Sequence, residues 1–124
     1  MEDKKKILII DDDLQASESL KRLFVFSGYE VETVNKPKEA LEKTKLFKPD
    51  LIILDLLMPG IGGFELCEIF NQDPLTSHIP IIVVSALSGY TDIKKAYKLG
   101  VVGYITKPYD FPQLLNEVKK ILNE

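Results

Sequence analysis

The chain has 124 residues, 45% of them hydrophobic and 28% charged, with a formal net charge of −3. That length suits one globular domain spanning 1–124, which should bury roughly two-thirds of its unfolded surface and needs no staples. The acidic balance excludes a protein built for nonspecific nucleic-acid binding, the single cysteine excludes an intrachain disulfide or a thiolate metal cluster, and no apolar stretch approaches the ~20 residues of a membrane span.

The start, Met1 to Lys6, is charged and is followed by only four apolar residues. This is too short for the apolar core of a signal peptide, so a cytoplasmic location is expected. A first strand is predicted over 6–11: Ile7-Leu8-Ile9-Ile10 runs into Asp11-Asp12-Asp13. Asp13 can cap a helix over 14–27 that faces inward with Ala16, Leu20, Leu23 and Phe24 and ends at Gly28. A strand follows over 29–34. Pro37 suits the first turn of a helix over 37–47, with Ala40, Leu41, Thr44 and Phe47 facing in.

Leu51-Ile52-Ile53-Leu54 is a run of branched aliphatics, the pattern of a strand buried on both faces, predicted over 51–55. It ends in one carboxylate, Asp55, and Met58-Pro59-Gly60 then turns the chain away. A helix over 63–71 carries Cys67 as a small side chain. His78 falls in the polar loop Thr76-Ser77-His78 and reads as a surface histidine. A strand over 80–85 ends in Ser85. A helix over 90–99 starts at Ser88 or Thr91, carries Ile93, Ala96 and Tyr97, and stops at Gly100. A strand over 102–105 runs into Thr106-Lys107-Pro108. The last helix, 111–122, has Pro112 in its first turn and an apolar stripe of Leu114, Leu115, Val118, Ile121 and Leu122. The lysines of 4–6, 94–95 and 98 read as solvated faces.

Five strands alternating with five helices make an α/β chain with a parallel sheet covered on both faces. Right-handed crossovers restrict the topology. The flavodoxin-like doubly wound order, 2-1-3-4-5, fits the element count, and there the site lies beyond the carboxyl ends of the strands. Asp11, Asp12, Asp55, Ser85 and Lys107 all fall on that edge.

Carboxylates that close disfavour full ionisation unless a cation compensates. A hard divalent cation does so without histidine or thiolate. Mg²⁺ accepts one or two carboxylates, keeps waters and leaves positions for phosphate oxygens. Lys107 adds a positive point charge and Ser85 a hydroxyl. Together they make a phosphoryl-transfer site, in which an aspartate can act as covalent nucleophile.

With four such segments in order (Ile9-Ile10-Asp11-Asp12-Asp13, Leu54-Asp55-Leu56-Leu57-Met58-Pro59-Gly60, Val83-Val84-Ser85-Ala86, Tyr104-Ile105-Thr106-Lys107-Pro108), the chain resembles the receiver domain of two-component response regulators over essentially its whole length. The resemblance implies that Asp55 is the phosphoacceptor, taking phosphate from a phosphohistidine on a histidine kinase or phosphotransfer protein. It implies Mg²⁺ at Asp12, Asp11, Asp55 and the backbone carbonyl of Leu57, with Ser85 and Lys107 on the phosphoryl group and a cis Lys107–Pro108 bond. Ser85 and Tyr104 would be the switch pair. The fourth helix, fifth strand and fifth helix would form the output face toward a downstream protein, with a monomer or a weak dimer through that face. No direct contact with nucleic acid or membrane is implied.

Two departures stand out. Gly62 occupies a loop position where the family often has an acid, and Val101-Val102-Gly103 replaces a more usual small-acidic stretch. Leu57 and Leu87 follow Asp55 and Ser85 by two residues, so aliphatic side chains flanking the site should slow hydrolysis of its phosphate.

Other readings remain open at this point. A haloacid-dehalogenase-type phosphatase would use Asp11 as nucleophile and Asp13 as acid–base, but it leaves Asp55 unexplained and lacks an acidic pair after the lysine. A nucleotide or flavin binder lacks its loop, because Glu65 stands where a third glycine would be needed after Gly60-Ile61-Gly62. A receiver that binds a partner without phosphorylation is a third. Both a free-standing receiver and a piece of a longer regulator or hybrid kinase fit the chain.

Overall fold

The computed structural model describes residues 3–124; Met1 and Glu2, the beginning of the charged lead-in, lie outside them. Strands β1 (Lys6–Ile10), β2 (Glu30–Val34), β3 (Leu51–Leu54), β4 (Ile81–Ser85) and β5 (Gly103–Thr106) alternate with helices α1 (Leu14–Phe26), α2 (Ala40–Phe47), α3 (Gly63–Gln72), α4 (Tyr90–Lys98) and α5 (Phe111–Ile121). The strands form one sheet in the order β2-β1-β3-β4-β5. Every neighbouring pair is parallel. This is the flavodoxin-like doubly wound arrangement.

Side-chain alternation along each strand divides the core in two. Leu8, Ile10, Ile52, Leu54 and Val83 pack with Ala40, Leu66, Cys67, Phe70 and Ala96, so α2, α3 and α4 cover that face. Ile7, Ile9, Leu51, Ile53, Ile82, Val84 and Ile105 pack with Leu20, Phe24, Leu114 and Val118 beneath α1 and α5. Both faces are therefore dry, which explains why β1, β3 and β4 are aliphatic at consecutive positions rather than alternating. Phe24 anchors the α1 side, meeting Tyr29 and Phe111 edge-to-face with ring centroids 5.7 and 5.0 Å apart.

The helix ends follow local chemistry. The Asp13 carboxylate accepts from the Ala16 amide at 3.1 Å and caps α1. Gly28 (φ 103°) and Gly100 (φ 97°) take the left-handed conformation that closes α1 and α4. Three expectations are corrected. The segment 37–47 is a 3-10 turn over Pro37–Glu39 followed by α2, because proline's fixed φ and missing N–H suit an opening turn. Neither Ser88 nor Thr91 caps α4; Gly89 stands at the cap without a side chain to offer. Leu23 is 44% exposed, not inward-facing. Ser17 lies inward in α1 instead, and its hydroxyl can be buried because it donates to the Leu14 carbonyl at 3.1 Å. Among the described residues no helix is long and apolar enough to cross a membrane.

Candidate functional site

Registry builds the site. Ile10 pairs with Leu54, so the residues that follow them, Asp11 and Asp55, leave the sheet side by side. Each keeps its backbone in the ladder: the Asp11 amide donates to Val34 at 3.1 Å, and the Asp55 amide to Ile10 at 3.0 Å. Ser85 pairs with Thr106 at the end of β4 and β5. The next amide, that of Lys107, donates to the Ser85 carbonyl at 2.9 Å. From there the Lys107 ammonium reaches across to Asp55 Oδ2 at 3.1 Å and Asp11 Oδ2 at 3.7 Å. Asp55 is 9% exposed and Asp11 8%.

The remaining oxygens are held by backbone. Asp55 Oδ1 accepts from the Leu57 amide at 3.0 Å, and Asp11 Oδ1 from the Asp13 amide at 3.0 Å. Burial pushes the Asp11 carboxyl up, the charges of Asp55 and Asp12 add to the rise, and the Asp13 amide and Lys107 oppose it without cancelling it. Burial pulls the Lys107 ammonium down, but the hydrogen bond and charge of Asp55, with Asp11, outweigh it and hold lysine above its ordinary value. Lys107 thus stays charged between two carboxylates, one of them strained by burial.

The other expected residues lie around this triad. Asp12 is exposed, and its carboxylate makes no hydrogen bond or ion pair among the described residues. Ser85 is fully buried, with its Oγ accepting from the Leu87 amide at 3.2 Å. The half-buried Tyr104 donates its hydroxyl to the Leu87 carbonyl at 2.6 Å. Burial, and then the charge of Asp92, raise that phenol. Leu57 is 49% exposed beside Asp55. The Lys107–Pro108 bond is cis. Asp11, Asp55 and Lys107 are joined directly; no hydrogen bond or ion pair links Asp12, Ser85 or Tyr104 to Asp55 among the described residues. Asp13, the acid–base of the phosphatase reading, is committed to its cap.

Two contributors were missed. A Cβ on Gly63 would collide with Leu56 Cα and lie 2.8 Å from the Asp55 carbonyl oxygen, so only glycine lets α3 approach the chain that carries Asp55. The pair Gly62-Gly63 was the available signal. Asn35, just past β2, donates from Nδ2 to the Asp11 carbonyl at 2.7 Å and to Ser17 Oγ at 2.9 Å. A lone asparagine before Lys36-Pro37 reads only as a loop residue.

The model of the response regulator receiver domain family matches residues 7–119. The chain belongs to that family. This receiver is 36% identical over 118 residues to the alkaline phosphatase synthesis transcriptional regulatory protein PhoP of Bacillus subtilis (strain 168), covering 95% of this chain and 48% of that protein. It is 33% identical over 117 residues to the phosphate regulon transcriptional regulatory protein PhoB of Rhizobium meliloti (strain 1021), covering 94% and 52%. The receiver therefore spans about half the length of these curated relatives. A putative response regulator from Chloroflexus aurantiacus J-10-fl superposes with a TM-score of 0.91 at 34% identity, covering 98% of this chain and 100% of that one.

Receivers of this family use Mg²⁺. Among the described residues no three acidic, histidine or cysteine side chains converge into a ready cage. Mg²⁺ does not require one, since it keeps several waters and takes one or two carboxylates. The donors here are all hard oxygens, and the exposed Asp12 carboxylate stands free beside two whose combined charge the single Lys107 ammonium only half offsets. The set fits that ion.

Proposed function

We propose that this receiver takes a phosphoryl group onto Asp55 from the phosphohistidine of a histidine kinase or phosphotransfer protein. One observation carries the reading: at the mouth of the central strand, Asp55 has one oxygen held by the Leu57 amide and the other by Lys107. A buried carboxylate with both oxygens oriented is already placed for attack, so little reorientation remains for the reaction to accomplish. An Asp55 oxygen bonds to phosphorus as the P–N bond breaks; the electron pair leaves on the imidazole nitrogen, which takes a proton from solvent. Lys107 lies within reach of the new phosphoryl oxygens and offsets their charge. The Ser85 hydroxyl, at the end of the adjacent strand, would take another oxygen. Asp11, Asp12, Asp55 and the Leu57 carbonyl would hold Mg²⁺, which when bound supplies positive charge to the phosphoryl oxygens.

The response would pass through Ser85 and Tyr104. Leu87 ties the two: its amide donates to Ser85 Oγ, and its carbonyl accepts the Tyr104 hydroxyl. A pull on Ser85 would disturb that loop and shift Tyr104 between two positions, altering the face made by α4, β5 and α5 that a downstream protein or a second copy would read.

Intact-protein mass spectrometry after incubation with acetyl phosphate and MgCl₂ tests the assignment. The wild type should gain one phosphoryl group and Asp55→Asn none. Label retained by Asp55→Asn but lost by Asp11→Asn would instead favour the phosphatase-type nucleophile.

A further inference from the structure

We infer that Asn35 is a positioning residue for the divalent cation, setting how tightly the Asp11-Asp12 turn can hold it; the inference rests on the Mg²⁺ reading above. Both backbone groups of Asp11 are held by the segment that leaves β2, and the carbonyl among them belongs to the peptide between Asp11 and Asp12. The Asp11 amide donates to the Val34 carbonyl at 3.1 Å, and the Asp11 carbonyl accepts from Asn35 Nδ2 at 2.7 Å. The first of these bonds extends the β1–β2 ladder and would exist with any residue at 35. The second depends on a side-chain amide.

The rest of the turn is equally committed. Asp11 Oδ1 accepts from the Asp13 amide, and Asp13 Oδ1 accepts from the Ala16 amide. Asp12 alone keeps its carboxylate free among the described residues, and it projects into solvent. Fixing the carbonyl of Asp11 fixes the plane of the peptide that enters Asp12, and so the direction in which the Asp12 side chain leaves the backbone. Asn35 thereby holds an unpaired ligand in place without touching it. Mg²⁺ demands near-ideal octahedral geometry, so an aspartate free to rotate with its peptide is a poorer ligand. Outer partners of this kind typically govern metal affinity by about 10- to 100-fold.

Asn35 has a second bond, to Ser17 Oγ at 2.9 Å, which ties the same amide to α1. A purely structural role would run through that bond, and the two can be separated by experiment. Mg²⁺ affinity is measured on the full chain by isothermal titration, for the wild type and for Asn35→Ala, Asn35→Leu and Ser17→Ala, with a circular-dichroism melt as the folding control. The two Asn35 variants should bind Mg²⁺ about tenfold more weakly, while Ser17→Ala stays within about twofold of wild type. Phosphorylation by acetyl phosphate, followed against MgCl₂ concentration, should need about tenfold more Mg²⁺ for half its maximal rate in the Asn35 variants, yet reach a similar rate at saturation.

Unchanged Mg²⁺ affinity in folded Asn35 variants overturns the inference. So does an equal loss in Ser17→Ala, or failure of both Asn35 variants to fold, since the amide would then serve the fold. If the wild type itself takes up no Mg²⁺, the reading of the acidic turn fails, and this inference fails with it.

Discussion

Gly63→Ala is the sharpest test of how α3 positions the Asp55 loop. The Gly63 amide donates to the Leu56 carbonyl at 3.2 Å, so the first turn of α3 lies directly on the chain just past β3. An added Cβ would meet Leu56 Cδ2 at 2.9 Å, the Asp55 carbonyl oxygen at 2.8 Å and, closest of all, Leu56 Cα. The methyl group can swing aside; the two backbone atoms cannot. Restoring an ordinary contact with the nearer backbone atom, Leu56 Cα, requires α3 to retreat by about 1 Å, and overpacking of this kind costs about 1–3 kcal/mol. The same retreat stretches the Gly63–Leu56 bond, forfeiting up to about 1 kcal/mol more. A total of about 1–4 kcal/mol, divided by a mid-range urea slope of about 2 kcal/mol per molar, lowers the unfolding midpoint by about 0.5–2 M. Urea titration followed by far-ultraviolet circular dichroism measures it, with Gly62→Ala as the matched control. A Cβ at Gly62 meets nothing within 4 Å. Gly62 stands at the cap of α3, so its alanine variant carries a cap penalty of about 1 kcal/mol or less. Equal midpoints for the two variants would refute the argument.

Asp11→Asn should stabilise the metal-free fold. Burial raises the Asp11 carboxyl above its ordinary 3.8, so the native state binds the proton more tightly than the unfolded chain does, and the ionised group opposes folding above its native pKa. The variant's advantage in thermal midpoint should therefore be full at neutral pH and shrink toward zero as pH falls to the unfolded value; an advantage that grew with acid would contradict the sign. Leu57→Asn combined with Leu87→Gln should shorten the lifetime of the Asp55 phosphate several-fold by admitting water; mass spectrometry over time reads it, and an unchanged decay would count against the two leucines. Cys67 is fully buried, and burial pushes its thiol up to about 11, with Glu68 adding to the rise. Native protein at pH 8 should resist iodoacetamide and react once urea is added; rapid native alkylation would mean that α3 opens locally.

The elements most legible in the sequence were those whose physics is local or uniform. Leu51–Leu54 is aliphatic at every position, the pattern of a strand covered on both faces, and its end at Asp55 was readable for the same reason. Asp13 announced its helix because a cap needs only one side chain and the backbone beside it. Periodicity was a poorer guide to which helical residues face inward. Leu23 looked like core and is half exposed, whereas Ser17 looked polar and is buried, because a serine hydroxyl can bond to its own helix and vanish from a hydrophobic pattern. Asn35 and Gly63 act through contacts made only after β1, β2, β3 and α3 have assembled. No spacing along the chain encodes such contacts. Asp11, Asp55 and Lys107, by contrast, were found because strand ends in a parallel sheet share an edge by topology alone.

The Lys107 ammonium already rests against two carboxylates. Anything that takes the oxygens of Asp11 or Asp55 that Lys107 holds binds by exchange rather than by addition. Its net affinity is the difference between two ion-pairing free energies, and a monovalent cation that only equals the ammonium gains nothing. A dication, or a group carrying several negative oxygens, changes that balance: the first can outcompete the ammonium for the carboxylates, and the second gives the displaced ammonium somewhere to go. Selectivity for doubly charged partners is thus present in the resting arrangement of three side chains, before any ligand contributes a contact of its own.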